Sequence, residues 1–189
     1  MDVISTPLLA ALICSLAEVG LDLPTNEIEL YDKRLDLLLG KWEIAKSIAP
    51  MSTVSRKHLR HFLMELAFKV HTKNKIEFNH IAIGEVLSGY NFETIYRTTN
   101  DLIKDMVERG IFVIHYAGNE RSEDVWTFGH LTYQEYLAAL WLSNFSNDIM
   151  KYTSVPFWEK ALLFYAQMKQ NLEPFISTLN ADINIYSKQ

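Results

Sequence analysis

The chain predicts a mainly α-helical protein in which one β-hairpin interrupts a succession of amphipathic helices. Three observations carry this reading. Apolar residues recur at spacings of three and four through most of the sequence, and capping and helix-breaking residues separate these stretches. After Gly110 the pattern changes to that of an extended chain, turns through polar residues and returns.

The elements follow in order. Pro7, behind Ser5 and Thr6 as candidate caps, suits the first turn of a helix, where its missing backbone donor costs nothing, and Gly20 can end that helix. After the connection LDLP, Thr25 or Asn26 can cap a second helix with Ile28, Tyr31, Leu35, Leu38, Leu39 and Trp42 on one face. The stretch from Ala49 to Thr53 breaks the periodicity. Ser55 is the expected cap of a third helix carrying Leu59, Phe62, Leu63, Leu66, Ala67 and Val70 on one stripe. Lys75 to Phe78 reads as a short extended segment, Asn79 as the cap of a brief helix ending near Gly89, and Asn91 as the cap of a longer one. In that longer helix Ile95, Leu102, Ile103, Met106 and Val107 face inward, and Gly110 stops it. IFVIHYA, a polar turn from Gly118 to Glu123 and DVWTF form the hairpin. His130 to Phe145 resumes a helix with Leu131, Leu137, Leu140 and Trp141 inside, and Phe157 to Met168 forms another after Pro156. NADINIYSKQ has no firm reading.

The order helix, short strand, helix, helix, hairpin, helix describes a winged helix. The expected organisation is a helical domain over residues 1–50, a winged-helix domain with one β-hairpin over 51–146, and the start of a further helical region over 147–189.

Composition narrows the classes of function. The 49% share of hydrophobic residues suits a packed globular protein, and the formal charge of −5 argues against nucleic acid as a partner. Cys14, the single cysteine, excludes an internal disulfide; it sits in the apolar run PLLAALICSLA, where a thiol is expected as a small buried hydrophobe. Val3 to Val19 has no basic n-region and is cut off by Glu18 and Asp22 below the length of a membrane span. It reads as a buried helix, with no membrane partner and the cytoplasm as the expected compartment.

A winged helix that reads DNA needs basic and amide side chains on its third helix. From Glu93 to Arg109 the acids Glu93, Asp101, Asp105 and Glu108 outnumber Arg97, Lys104 and Arg109, and the wing adds Glu120, Glu123 and Asp124 against Arg121. Such a face repels phosphates. The cluster Arg56, Lys57, His58, Arg60 and His61 reads as the solvated start of the third helix.

Catalytic patterns are missing from these residues. There is no phosphate-cradling G-x-x-x-x-G-K-[ST] loop, no apolar run ending in paired acids, no H-E-x-x-H and no C-x-x-C, so neither a catalytic residue nor a metal ligand is expected. Among the histidines, His58, His61 and His71 fall on a polar helix face, His80 at a helix start and His115 in a strand. His130 follows Trp126, Phe128 and Gly129 where a strand gives way to a helix, a place suited to anions. By themselves the residues leave both a structural and an anion-binding role open there, and Gln134 and Glu135 read as solvated first-turn residues.

Phe128 to Leu142, FGHLTYQEYLAALWL, resembles the signature F-x-H-x-T-[FY]-Q-E-[FY]-x-A-A that closes the winged helix of NACHT-type STAND P-loop NTPases, the NLR-like group. TPLLAALIC from Thr6 resembles that family's proline-bearing helix after the nucleotide-binding core, and EIELYDKRLDLLLGKW is similar to the helix that follows. FWEKALLFYAQM is similar to the opening of the next helical region. The resemblance covers most of residues 4–145, and the Walker A loop, the magnesium-binding acids and the sensor arginine of the family are not among them.

The resemblance therefore implies the regulatory C-terminal portion of a nucleotide-controlled switch, not an enzyme by itself. His130 would approach the β-phosphate of ADP and Pro7 would pack near the adenine. No cofactor is implied for this chain alone, whereas ADP or ATP with magnesium is implied for the full-length ATPase. The implied partners are the N-terminal nucleotide-binding core of the same protein and, after exchange of ADP for ATP, further copies in a homo-oligomer, in signalling or defence. Two other readings stay open: a winged-helix DNA-binding transcription regulator, and a protein-interaction scaffold indifferent to nucleotide.

Overall fold

Side-chain caps set the starts of three of the helices described in the computed structural model. It describes residues 7–18, 20, 22–41, 53–90, 96, 98–120, 123–145 and 148–169, with backbone alone at residues 7, 8, 41 and 53–55. Helix α1, Pro7–Glu18, buries Leu9, Leu12 and Leu16. Gly20 follows in the left-handed region at φ 70°, its N–H bonded to Ala17 O at 3.0 Å. Cys14, expected inside, is exposed, because α1 is covered along one stripe only and the thiol lies off it.

Asn26 caps α2, Glu27–Asp36, by accepting from Glu29 N, while the Glu29 carboxylate takes the Thr25 N–H and hydroxyl at 2.7 Å each. The second helix was expected to continue to Trp42. Instead its α-helical part stops at Asp36 and a π-helical turn, Leu37–Lys41, follows, with Gly40 at φ 147°. Arg109 Nη1 takes the Leu38 carbonyl at 3.0 Å and so satisfies an acceptor this departure frees. Trp42 lies outside the described residues.

Helix α3, Thr53–Thr72, starts two residues ahead of the expected cap, so Ser55 lies within it. It buries the predicted stripe and, against expectation, His71, which has no exposed surface. His71 stands four residues after Ala67 and eight after Leu63, on the apolar stripe itself. Strand β1, Glu77–Asn79, inserts Phe78 into the core; Asn79 then caps α4, His80–Leu87, through Ala82 N. Helix α5, Thr99–Glu108, begins with a capping box between Thr98 and Asp101; the expected cap Asn91 and Ile95 lie outside the described residues. Gly110, at φ 71°, and Ile111 close α5 by bonding back to Val107 O and Met106 O at 2.9 Å each.

Strands β2, Phe112–Tyr116, and β3, Val125–Phe128, form the hairpin, with a bulge between Ile114 and Tyr116. The antiparallel sheet runs β1-β3-β2, and Phe78, Phe112 and Phe128 meet beneath it with ring centroids 4.9 to 5.6 Å apart. Helix α6, Leu131–Phe145, lies between α3 and α7, Glu159–Met168. Tight turns at Met150–Tyr152 and Pro156–Trp158 join α6 to α7, and Phe157 belongs to the second turn rather than to the helix.

Because α6 is covered on two sides, the single-stripe reading of its interior fails. Tyr136, Leu137, Ala138, Ala139 and Leu142 are buried, Leu140 and Trp141 are half-buried, and Leu131 is 39% exposed. The core is continuous from Leu9 in α1 to Phe164 in α7, and Tyr31, Tyr136 and Phe164 join α2, α6 and α7 through ring contacts of 5.4 to 5.8 Å. Tyr136 Oη also donates to Asp32 at 2.9 Å, and Asp32 and Asp36 both accept from Arg60 of α3. The fold is thus mainly helical with a small three-stranded sheet, a winged helix with helical elements before and after it. No helix among the described residues is long and apolar enough to cross a membrane.

Candidate functional site

The junction between β3 and α6 is fixed by backbone. Gly129 N donates to Ile111 O at 2.9 Å, and a Cβ on Gly129 would stand 2.7 Å from the Gly110 carbonyl oxygen. Only glycine lets the end of the hairpin approach the end of α5 so closely. His130 comes next and its ring is exposed. Its Nδ1 accepts from Thr132 N at 3.2 Å and stands 3.1 Å from Thr132 Oγ1, while its carbonyl accepts from Tyr133 N at 2.9 Å.

This arrangement decides which ring atom can act. A nitrogen that accepts from a backbone amide carries no hydrogen, so the neutral ring bears its proton on Nε2. Nε2 has no bond to protein among the described residues and is a donor on an exposed ring. Two amides of the first turn of α6, those of Thr132 and Tyr133, are used by His130 itself, and its imidazole N–H is an exposed side-chain donor at this helix head.

The next turn of α6 differs from its expected solvated character. Gln134 is buried; its amide donates to Lys75 O at 2.7 Å and to His71 Nδ1 at 3.1 Å. His71 is pushed down to about 4 by burial, opposed by the Phe157 backbone, and its Nε2 is buried with no hydrogen-bond partner among the described residues. Glu135 is half-buried, and burial raises its carboxyl against the pull of Lys160. Lys160 is bonded to Glu27 at 3.1 and 3.3 Å. Glu135 and Lys160 line a shallow cavity of about 310 Å³ with Pro156, Phe157, Glu159 and Leu163.

Pro7 is the first residue of α1, and its side chain lies outside the described residues. The larger cleft, about 400 Å³, lies among Lys69, Lys73, Lys75, Phe78 and Glu85 and does not include His130. On α5 both described cations are engaged by acids of the same helix, Arg109 with Asp105 at 2.8 Å and Lys104 with Glu108 at 3.8 Å. Arg60 in the basic cluster is held by Asp32 and Asp36. Among the described residues no group of three His, Cys, Asp or Glu could hold a metal ion.

Sequence reasoning placed His130 at the correct junction and missed His71 and Gln134. The spacing of His71 from Ala67 and of Gln134 from Leu137 and Ala138 was the available signal. Comparison with curated proteins gives no match. A family described as the winged helix-turn-helix domain C-terminal to NACHT matches residues 27–142, from the start of α2 to Leu142 of α6, and its members are the winged-helix part of NACHT proteins, not the NTPase core. With that match spanning most of the chain, on the strand order and helix order just described, the chain belongs to the family of winged helix-turn-helix domains that lie C-terminal to NACHT.

Proposed function

We propose that the chain is the switch arm of a nucleotide-controlled NACHT NTPase, with His130 as its removable contact to a bound nucleoside diphosphate. The supporting observation is the exposed ring at the head of α6, whose Nδ1 is occupied by Thr132 and whose Nε2 is left to donate outward. A donor so fixed fits a β-phosphate oxygen supplied by the NACHT core, and Pro7 at the head of α1 packs near the adenine. The bound nucleotide, with its magnesium, contributes the anionic charge and the difference between two states. His130 and the packing of this arm against the core hold the closed state; exchange of ADP for ATP removes the His130 contact, frees the arm and exposes surfaces for homo-oligomerisation.

The magnitude is consistent with a switch. A hydrogen bond to a charged oxygen contributes about 1.5–3 kcal/mol, enough to bias two near-balanced states and too little to hold one of them alone. In the full-length protein His130→Ala is expected to lower the fraction of molecules that retain ADP through purification. The nucleotide released on denaturation is quantified against protein. Unchanged ADP occupancy removes His130 from the nucleotide site and with it this reading of the arm.

A further inference from the structure

Gln134 stands one helical turn after His130, and its side chain runs inward from the same end of α6. Both hydrogens of its amide are spoken for, one by Lys75 O at 2.7 Å in the approach to β1 and one by His71 Nδ1 at 3.1 Å at the end of α3. A ring that accepts at Nδ1 carries its hydrogen on Nε2, and that atom is buried with no hydrogen-bond partner among the described residues. The imidazole also lies 4.4 Å from the Phe157 ring and 4.5 Å from Trp158, and Trp158 is stacked on Tyr152 at 3.9 Å. One chain of contacts therefore runs from the first turn of α6 to the end of α3 through hydrogen bonds, and from His71 to the Pro156–Trp158 turn before α7 through ring contacts.

Neither His71 nor Gln134 is needed to fill this space, since leucine has similar bulk and no polar atoms to satisfy. Two polar groups with no exposed surface to speak of depend there on the bond each makes to the other, and the Phe157 turn keeps water from competing for it. When that turn lifts, water reaches His71 and competes for Nδ1. Gln134 then keeps only its bond to Lys75 O, the first turn of α6 is held inward at one point instead of two, and the Thr132 amide holds the His130 ring less firmly in one orientation.

The geometry points to Gln134 and His71 as positioning residues for His130, forming a buried relay that reports the seating of the Pro156–Trp158 turn to the head of α6. It rests on the reading of His130 as the phosphate contact and extends it: movement of the Pro156–Trp158 turn, with α7 behind it, becomes the regulator of that contact, without touching the nucleotide.

The test uses this chain without nucleotide. Exchange protection of the Thr132 amide and the tautomer of His130, from long-range proton–nitrogen correlations, are compared in the wild type, Phe157→Ala, His71→Leu and His71→Asn, whose amide oxygen replaces Nδ1 as acceptor. Phe157→Ala and His71→Leu are expected to lower Thr132 protection about tenfold, the counterpart of one lost hydrogen bond, and to mix the His130 tautomers, with the Leu63 amide of mid-α3 unchanged. His71→Asn is expected to restore both signals. Unchanged Thr132 protection in folded Phe157→Ala, or equal behaviour of the Asn and Leu variants, overturns the relay; if His71→Leu does not fold, Phe157→Ala decides. Because no nucleotide takes part, this failure leaves the ADP-retention result standing, and the reverse holds as well.

Discussion

Acidification tests the buried imidazole directly. His71 is held near 4 against an ordinary value of 6.5, mainly because burial disfavours its charged form. The folded state therefore binds fewer protons than the unfolded chain at mildly acidic pH. Its contribution to stability is complete above about pH 6.5 and is lost as pH falls toward 4. Between about pH 7.5 and 4.5 that loss is about 2.5 kcal/mol from this one ring. His71→Asn keeps an acceptor for Gln134 and removes the titration, so the difference in urea-unfolding free energy between the two proteins isolates it, with carboxylates and other histidines common to both. The wild type is expected to lose its advantage over His71→Asn by about that amount, at unchanged m-value. A difference that stays within about 0.5 kcal/mol across the range would falsify the assignment of His71 as a neutral buried ring.

Other substitutions probe the same architecture. Gly129→Ala is expected to destabilise by about 1–3 kcal/mol in chemical denaturation, because the added carbon meets the Gly110 carbonyl at 2.7 Å and that backbone cannot yield. Gly84→Ala, where nothing lies within 4 Å in a helix interior, is expected to stabilise by about 0.5–1 kcal/mol; a loss there would count against the helix over His80–Leu87. Asp32→Ala leaves the Tyr136 hydroxyl and Arg60 short of an acceptor and is expected to cost about 1–2 kcal/mol, with Asp32→Asn recovering part of it; identical melting of both variants would remove the pair from the account. Trp158→Ala removes a 1% exposed indole from contacts with Tyr152, His71 and Phe68 and is expected to cost about 3–5 kcal/mol in urea unfolding. A loss below about 1 kcal/mol would show that the α7 turn is not docked as described.

What sequence could determine was local. The periodicity of Leu59 to Val70, the caps at Asn26 and Asn79, the glycines ending α1 and α5 and the switch to extended chain after Gly110 are settled by neighbours within a few residues, and each is found where it was expected. The same locality put His130 at the strand-to-helix junction. Tertiary packing decided the rest. Ser55 gave way as a cap to a helix that starts at Thr53, and α2 ended early at a π-helical turn whose Leu38 carbonyl is taken by an arginine 71 residues away. Gln134, Glu135 and His71 look solvated when one helix is considered alone. Burial belongs to all the surfaces that meet at a point, and α6 is covered by both α3 and α7; only the assembled molecule closes the Phe157 turn over His71 and leaves His130, four residues from Gln134, open to the outside.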